Sequence, residues 1–304
     1  MQKQQTKAIL SLITAMLIFG SVGIFRRYIP LPSAAIAAIR GFVGMLFLLG
    51  FMAVRGQKLD LSAIRKNLVP LCLSGAFIGI NWILLFEAYN YTTVSCATLC
   101  YYTAPVYVIL LSPIVLKDRI TPAKLGCTVC ALGGMILVSG MIGEGTADVS
   151  VKGVLFGLGA AVFYAAVMLT NKKLHDIGAF DRTVVQLGVA GVAVLPYSII
   201  AEGAALAEAI PQMTALPIVM LAVVGVVHTG AAYTLYFGSF MNIKAQTAAL
   251  FSYIDPVSAL VMSAFILGET MTVLQIIGAV LIIGSAAFGE VLPDRTKEFE
   301  KIST

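Results

Sequence analysis

The sequence predicts an all-α membrane protein of ten transmembrane helices, arranged as two inverted five-helix repeats with both termini cytoplasmic. Three observations predict it: the composition, a series of long apolar runs, and an internal duplication. Of 304 residues, 59% are hydrophobic and only 12% charged, about half the charged share of an average soluble domain. A transmembrane helix needs about 20 mainly apolar residues. Such runs recur near 8–27, 33–54, 68–89, 92–116, 123–141, 153–172, 183–201, 215–240, 245–267 and 272–290. They are continuous, with Leu, Ile, Val, Ala and Gly on every face, whereas a membrane barrel would show short alternating segments. The first run follows Lys3 and Lys7 as a signal peptide would; with nine further apolar segments behind it, it reads as a retained first span.

Charge placement orients these spans. With the N-terminus inside, Lys3, Lys7, Arg55, Lys58, Arg65, Lys66, Lys117, Arg119, Lys172, Lys173 and the tail cations fall on the cytoplasmic side. Arg26, Arg27 and Lys152 fall outside, the bias of the positive-inside rule. The formal net charge of +5 is therefore a topological signal. Such short loops form no basic patch, so no nucleic-acid partner is expected.

The duplication is read by aligning Thr98–Val138 with Ala249–Gly289 without gaps. Tyr102 then matches Tyr253, Pro105 matches Pro256, Val106 matches Val257, Asp118 matches Glu269, Thr121 matches Thr272 and Gly133 matches Gly284. Each unit has five helices, an odd number, so the second enters the membrane from the opposite face. Inverted repeats with a site near the midplane are the architecture of many secondary carriers. The expected organisation is a first repeat over 1–142, an outer linker over 143–150, a second repeat over 151–292 and a charged cytoplasmic tail over 293–304. The loop Glu202–Gln212 is long enough to hold a short interfacial helix.

The order of motifs resembles the drug/metabolite transporter superfamily, specifically its EamA-type ten-helix exporters, over nearly the whole chain. The resemblance rests on FGSVGIFRR (Phe19–Arg27), AAIRGF (Ala37–Phe42), YTTVSCATLCYYTAPVY (Tyr91–Tyr107), SYIDPV (Ser252–Val257) and LGETMT (Leu267–Thr272). Phe19 stands where the family usually has Trp, Asp255 where Glu is commoner, and Lys117–Asp118 where a Gly-Glu is typical. The resemblance implies a carrier of a small-molecule solute in a bacterial-type inner membrane, with a cavity lined by the first, third and fourth helices and their mates, the sixth, eighth and ninth.

Periodicity places candidates on those helices. On the fourth, Ser95, Thr98, Tyr102, Pro105 and Ser112 form one polar stripe at spacings of three and four, which faces either the cavity or a hydrogen-bonding neighbour helix. Trp82 and Tyr233 are repeat mates, with Tyr236 one turn on and Tyr164 at a corresponding depth. These aromatics suit a pocket that encloses an organic solute or an interfacial belt; for Trp82 and Tyr233, toward the interior of their spans, the pocket is favoured. Asn81 and Asn171 are candidate polar contacts.

Pro105 and Pro256 each free backbone carbonyls and are symmetrically placed, as hinges or as packing kinks. Asp255 is the candidate proton-coupling or cation-recognising carboxylate, or else bonds to the backbone freed by Pro256. His228 is a candidate titrating group or a satisfied hydrogen-bonding residue. Glu87 with Tyr89 and Asn90, and Arg26 with Arg27, form either an external gate or a solvated rim. Arg40 is costly to leave facing lipid; on a peripheral helix, snorkelling or an ion pair is favoured over a solute contact. Gly126, Gly133 and Gly140 recur along one face that meets either another helix or a second protomer in a homodimer.

Chemistry beyond transport finds little footing. Cys72, Cys96, Cys100, Cys127 and Cys130 lie among apolar residues without His or carboxylate company, as packing residues and not as metal ligands. A nucleotide-binding loop is missing from the sequence, so no cofactor is expected and an ATP-driven pump is disfavoured. An intramembrane enzyme would need a nucleophile or metal cluster that His175 and His228, far apart, do not supply. The expectation is an exporter of amino acids or similar amphiphilic metabolites, driven by the solute gradient or by protons, with uptake or exchange of a nutrient or organic cation as the alternative.

Overall fold

The computed structural model describes residues 2–115, 122–138, 150–240 and 251–291. Lys117 and Asp118, the linker apart from Ser150, Lys244, Gly140 and the tail lie outside the described residues. Every regular element among those described is helical. Among the described residues, seven helices are long and apolar enough to cross a membrane, and three shorter apolar helices accompany them.

The first helices, α1 (Gln2–Arg27) and α2 (Ser33–Val54), are followed by the six-residue α3 (Leu61–Lys66), which the sequence reading left as loop. Asp60 starts α3 by accepting the Ala63 N–H at 2.9 Å, the side-chain capping that makes so short a helix tenable. The chain continues through α4 (Leu68–Tyr91), α5 (Val94–Tyr101), α6 (Ala104–Val115), α7 (Pro122–Val138), α8 (Val151–Asn171) and α9 (Ala179–Ile200). A short α10 (Gly203–Ala209) and a 3₁₀ turn occupy the loop that was expected to hold a helix. Then come α11 (Ala215–Gly225), a π-helical segment (Val226–Ala231), α12 (Ala232–Phe240), α13 (Ile254–Leu267) and α14 (Val273–Val291).

Two apolar runs that read as single helices are interrupted. The run at 92–116 breaks at Tyr102 and Thr103, between α5 and α6. Pro105 lies in the first turn of α6, where its missing N–H has no intrahelical partner to lose; Thr103 Oγ1 donates instead to Cys100 O at 2.6 Å. The run at 215–240 carries the π segment, in which Thr229 Oγ1 donates to Val224 O at 2.9 Å. Such single-turn π bulges re-aim side chains within an otherwise α-helical run.

Packing is that of helices in an apolar solvent. Large apolar side chains such as Phe265, Ile200 and Ile114 stand exposed, while Ala34, Ala37, Ala160, Ala161, Ala165 and Ala190 are wholly buried. Lipid gives no hydrophobic drive for helices to associate, so close backbone approach between small residues does that work. A Cβ on Gly41 of α2 would lie 2.8 Å from Leu187 O and 2.9 Å from Gly191 N of α9. The α7–α14 crossing is built likewise on Gly134 and Gly278, where each Cβ would meet the other residue's carbonyl oxygen. Gly126 and Gly133 meet nothing within 4 Å, so α14 reaches α7 through Gly134 and not through the glycine face read from the sequence. Around this frame α4 packs on α8 and α9, and α1 on α12 and α13.

Candidate functional site: a cavity at the helix breaks

A cavity of about 360 Å³ opens where the interrupted helices converge, a volume that suits a small metabolite. Its wall takes Phe19 from α1, Trp82 from α4, Tyr164 from α8, and Tyr233 and Tyr236 from α12. The α5–α6 break adds Tyr102 and Pro105, and the start of α13 adds Tyr253 and Asp255. Residues from before and after position 150 thus enclose one space.

Several of these aromatics are held by others. Phe19 meets Tyr233 edge-on at 5.3 Å between centroids and Tyr236 at 6.2 Å. Tyr101 lies 5.1 Å from Tyr164 and 5.6 Å from Tyr102. Edge-to-face contacts of this kind fix ring planes in a wall that has few other constraints. Asp255, in the first turn of α13, lines the cavity together with Tyr102 of the α5–α6 break.

Of the residues singled out from the sequence, Trp82, Tyr102, Tyr164, Tyr233, Tyr236, Asp255 and Pro105 line this cavity. Four candidates stand elsewhere. Asn81 is buried against α8, its Nδ2 donating to Ala160 O at 2.6 Å. His228, in the π segment, packs 4.7 Å from the Phe25 ring and has Nε2 2.8 Å from Ser21 Oγ; its ring is spent on the α1 contact. Asn171 accepts from Gln186 Nε2 at 2.6 Å, and Gln186 Nε2 also reaches Ser74 Oγ at 2.6 Å, in a polar seam joining α4, α8 and α9. Pro256 is buried beside Asp255 without lining the wall.

Arg40 departs furthest from the sequence reading. It neither snorkels nor forms an ion pair among the described residues; it is 5% exposed and lines the cavity. The reason is its neighbours: the α2–α9 glycine contact draws α2 inward, and the π segment presents Thr229 Oγ1 to Arg40 Nε at 2.8 Å.

At the end of the bundle where α1 finishes, Glu269 gathers three elements. Its carboxylate accepts the N–H groups of Val94 at 2.8 Å and Ser95 at 3.1 Å, and the Ser95 hydroxyl at 3.1 Å. Ser95 Oγ also lies 2.6 Å from Ser263 Oγ of α13, so this serine of the fourth-helix stripe belongs to the Glu269 cluster and does not line the cavity. Arg27 pairs with Glu269 at 3.3 Å and donates to Thr92 O at 3.0 Å. Gly268, at φ +67°, supplies the left-handed turn that ends α13 and aims Glu269 back at α5. Arg26 is bound separately, to Ile29 O and Asn90 Oδ1, and Glu87 accepts from Asn90 at 3.4 Å. Arg27 thus pairs with Glu269 of the LGETMT motif and not with Glu87.

A bundle of apolar helices around an aromatic, carboxylate-bearing cavity defines a multi-pass membrane transporter. The chain belongs to the EamA-like transporter family, whose profile matches residues 6–140 and 151–288. It is 26% identical over 286 residues to the uncharacterized transporter YxxF of Bacillus subtilis, covering 94% of this chain and 90% of that one. It is 24% identical to the threonine/homoserine exporter RhtA of Salmonella typhimurium, covering 94% and 92%. A solved crystal structure, 19% identical, superimposes with a TM-score of 0.63 over 96% of this chain and 99% of that chain, a likeness of fold.

Proposed function

We propose that this transporter is a secondary carrier that exports a small amphiphilic metabolite, an amino acid or a similar solute, by alternating access. The observation that carries the reading is the placement of Asp255 and Tyr102 in the wall of one cavity, Tyr102 at the break between α5 and α6. Breaks leave backbone groups without helical partners, which is tolerated where they line a cavity. A carboxyl group there can exchange a proton or hold a cationic group as the walls rearrange.

In this reading the seven long apolar helices and the three shorter ones serve as ten spans, and odd-numbered halves over 1–142 and 151–292 make the repeats inverted. The family profile matching on both sides of the linker supports that division. With the termini in the cytoplasm of a bacterial-type cell, the Glu269 cluster lies at the outer face. Its ties between α1, α5 and α13 then hold that face shut, in an inward-facing state. Export is supported by the similarity to a named exporter.

Proteoliposomes preloaded with labelled amino acids and organic cations test the reading, comparing the native chain with Asp255→Asn at two pH gradients. Solute efflux that depends on native protein, on the gradient and on Asp255 is the expected result. Efflux indifferent to gradient and substitution removes proton coupling through Asp255. An absence of efflux for every solute overturns the transport reading at this cavity.

A further inference from the structure

The Arg40 guanidinium is a buried cation with which no acidic group among the described residues forms an ion pair. Its one hydrogen bond is Nε to Thr229 Oγ1, and the single ion pair among the described residues is Arg27–Glu269. Nη1 and Nη2 therefore have no protein partner among the described residues, although Arg40 lines the cavity and is 5% exposed. Its Cζ sits 4.2 Å from the centroid of the Trp82 ring and 5.8 Å from that of Phe86.

We propose that Arg40 and Trp82 form a subsite for the carboxylate of the transported solute. A guanidinium stacked on an indole and tethered through Nε has a fixed plane and a free Nη1/Nη2 edge, the edge that accepts a carboxylate through two parallel bonds. Stacking on Trp82 offsets part of the cost of the buried charge, and a bound carboxylate supplies the missing counter-charge. The tether is built for the purpose by the π segment: the Thr229 hydroxyl donates its proton to Val224 O, which leaves its lone pairs to receive Nε. Asp255 lines the same cavity, so one cation and one carboxylate face the solute, a pairing that fits a zwitterion. An organic cation without a carboxylate would meet Arg40 uncompensated. The assignment rests on the cavity being the solute path.

Trp82 is the single tryptophan of the chain, so its emission reports this subsite. The full-length protein in lipid nanodiscs is titrated with a pool of non-aromatic L-amino acids, and separately with the pool of their carboxamides. The expected result is a saturable change with the acids and at least an about tenfold weaker response to the amides, the scale of a lost charge-assisted pair. Arg40→Lys keeps the charge but loses the planar edge, and is expected to weaken the acid response at least about tenfold while leaving the amide response in place. Equal responses to both pools, no response to the acids, or an Arg40→Lys protein that binds acids normally each overturn the subsite. The acid-against-amide comparison needs no variant, so a poorly folding Arg40→Lys does not blunt it. Efflux of choline by the native chain, unaltered by Arg40→Lys and without an acid response at Trp82, overturns the subsite while the transport reading stands. A Trp82 response to the acids with no efflux of either pool overturns the transport reading instead.

Discussion

The carboxylate of Glu269 receives the main-chain N–H of Val94 at 2.8 Å. One residue after a left-handed glycine thereby holds the first turn of a helix that lies 175 positions earlier in the chain. The same carboxylate takes the Ser95 N–H, the Ser95 hydroxyl and Arg27, so its removal leaves the N–H groups of Val94 and Ser95 without this acceptor.

Glu269→Ala is expected to lower stability by about 2–4 kcal/mol, the scale for losing charge-assisted hydrogen bonds that are largely shielded from water. Glu269→Gln keeps an acceptor oxygen and is expected to cost about half as much. Thermal unfolding of the purified protein in one detergent checks the order; equal stability of all three proteins would show that the contact holds nothing together.

Asn81 tests whether a polar residue within a span serves the cavity or the packing. Asn81→Leu is expected to reduce stability by about 1–3 kcal/mol, because Ala160 O loses its buried donor, and to leave the KM for the transported solute unchanged. A raised KM in a protein of native stability would put Asn81 back at the solute.

Close helix crossings make a sharp contrast among glycines. Gly41→Leu is expected to prevent folding, since any Cβ there meets the α9 backbone at 2.8–2.9 Å and a main chain cannot step aside. Gly133→Leu faces open space and is expected to yield a normal level of folded protein in the membrane fraction.

Glu202 carries a pH dependence of known sign. Its carboxylate accepts the Ala34 N–H at 3.1 Å at the start of α2. Burial raises its pKa above the ordinary 4.5, against the opposing pull of the N–H groups of Ala34 and Ala35. The folded protein thus holds this proton more tightly than the unfolded chain does. Stability from this group is complete below pH 4.5 and is lost as pH rises through the raised value. Relative to Glu202→Gln, the native chain is expected to lose melting temperature across that rise, measured in matched buffers; a difference that shrinks instead would reverse the sign.

Much of the candidate site is legible without a structure, because polar and aromatic residues are scarce in lipid-solvated helices and stand out at helical spacing. Trp82, Tyr102, Tyr164, Tyr233, Tyr236 and Asp255 are found that way, and they line one cavity. Spacing does not separate a residue that faces solute from one that faces a neighbouring helix, which is why Asn81, Asn171 and His228 look alike in sequence and prove to be spent on packing. Arg40 fails in the other direction. Its place on the second span argued for the periphery, and only the glycine-tight α2–α9 crossing draws it to the cavity. A signal was available in retrospect: Gly41 beside Arg40 permits the close approach.

The sequence by itself determined the solvent and the helical class, since these follow from local composition. Tertiary structure alone decided the partners: Glu269 for Arg27 and Val94, and Thr229 for Arg40. Those pairings join residues 150 or more positions apart and depend on where each helix crosses the next, which small residues and one π turn set within an ångström or so and which no local pattern encodes.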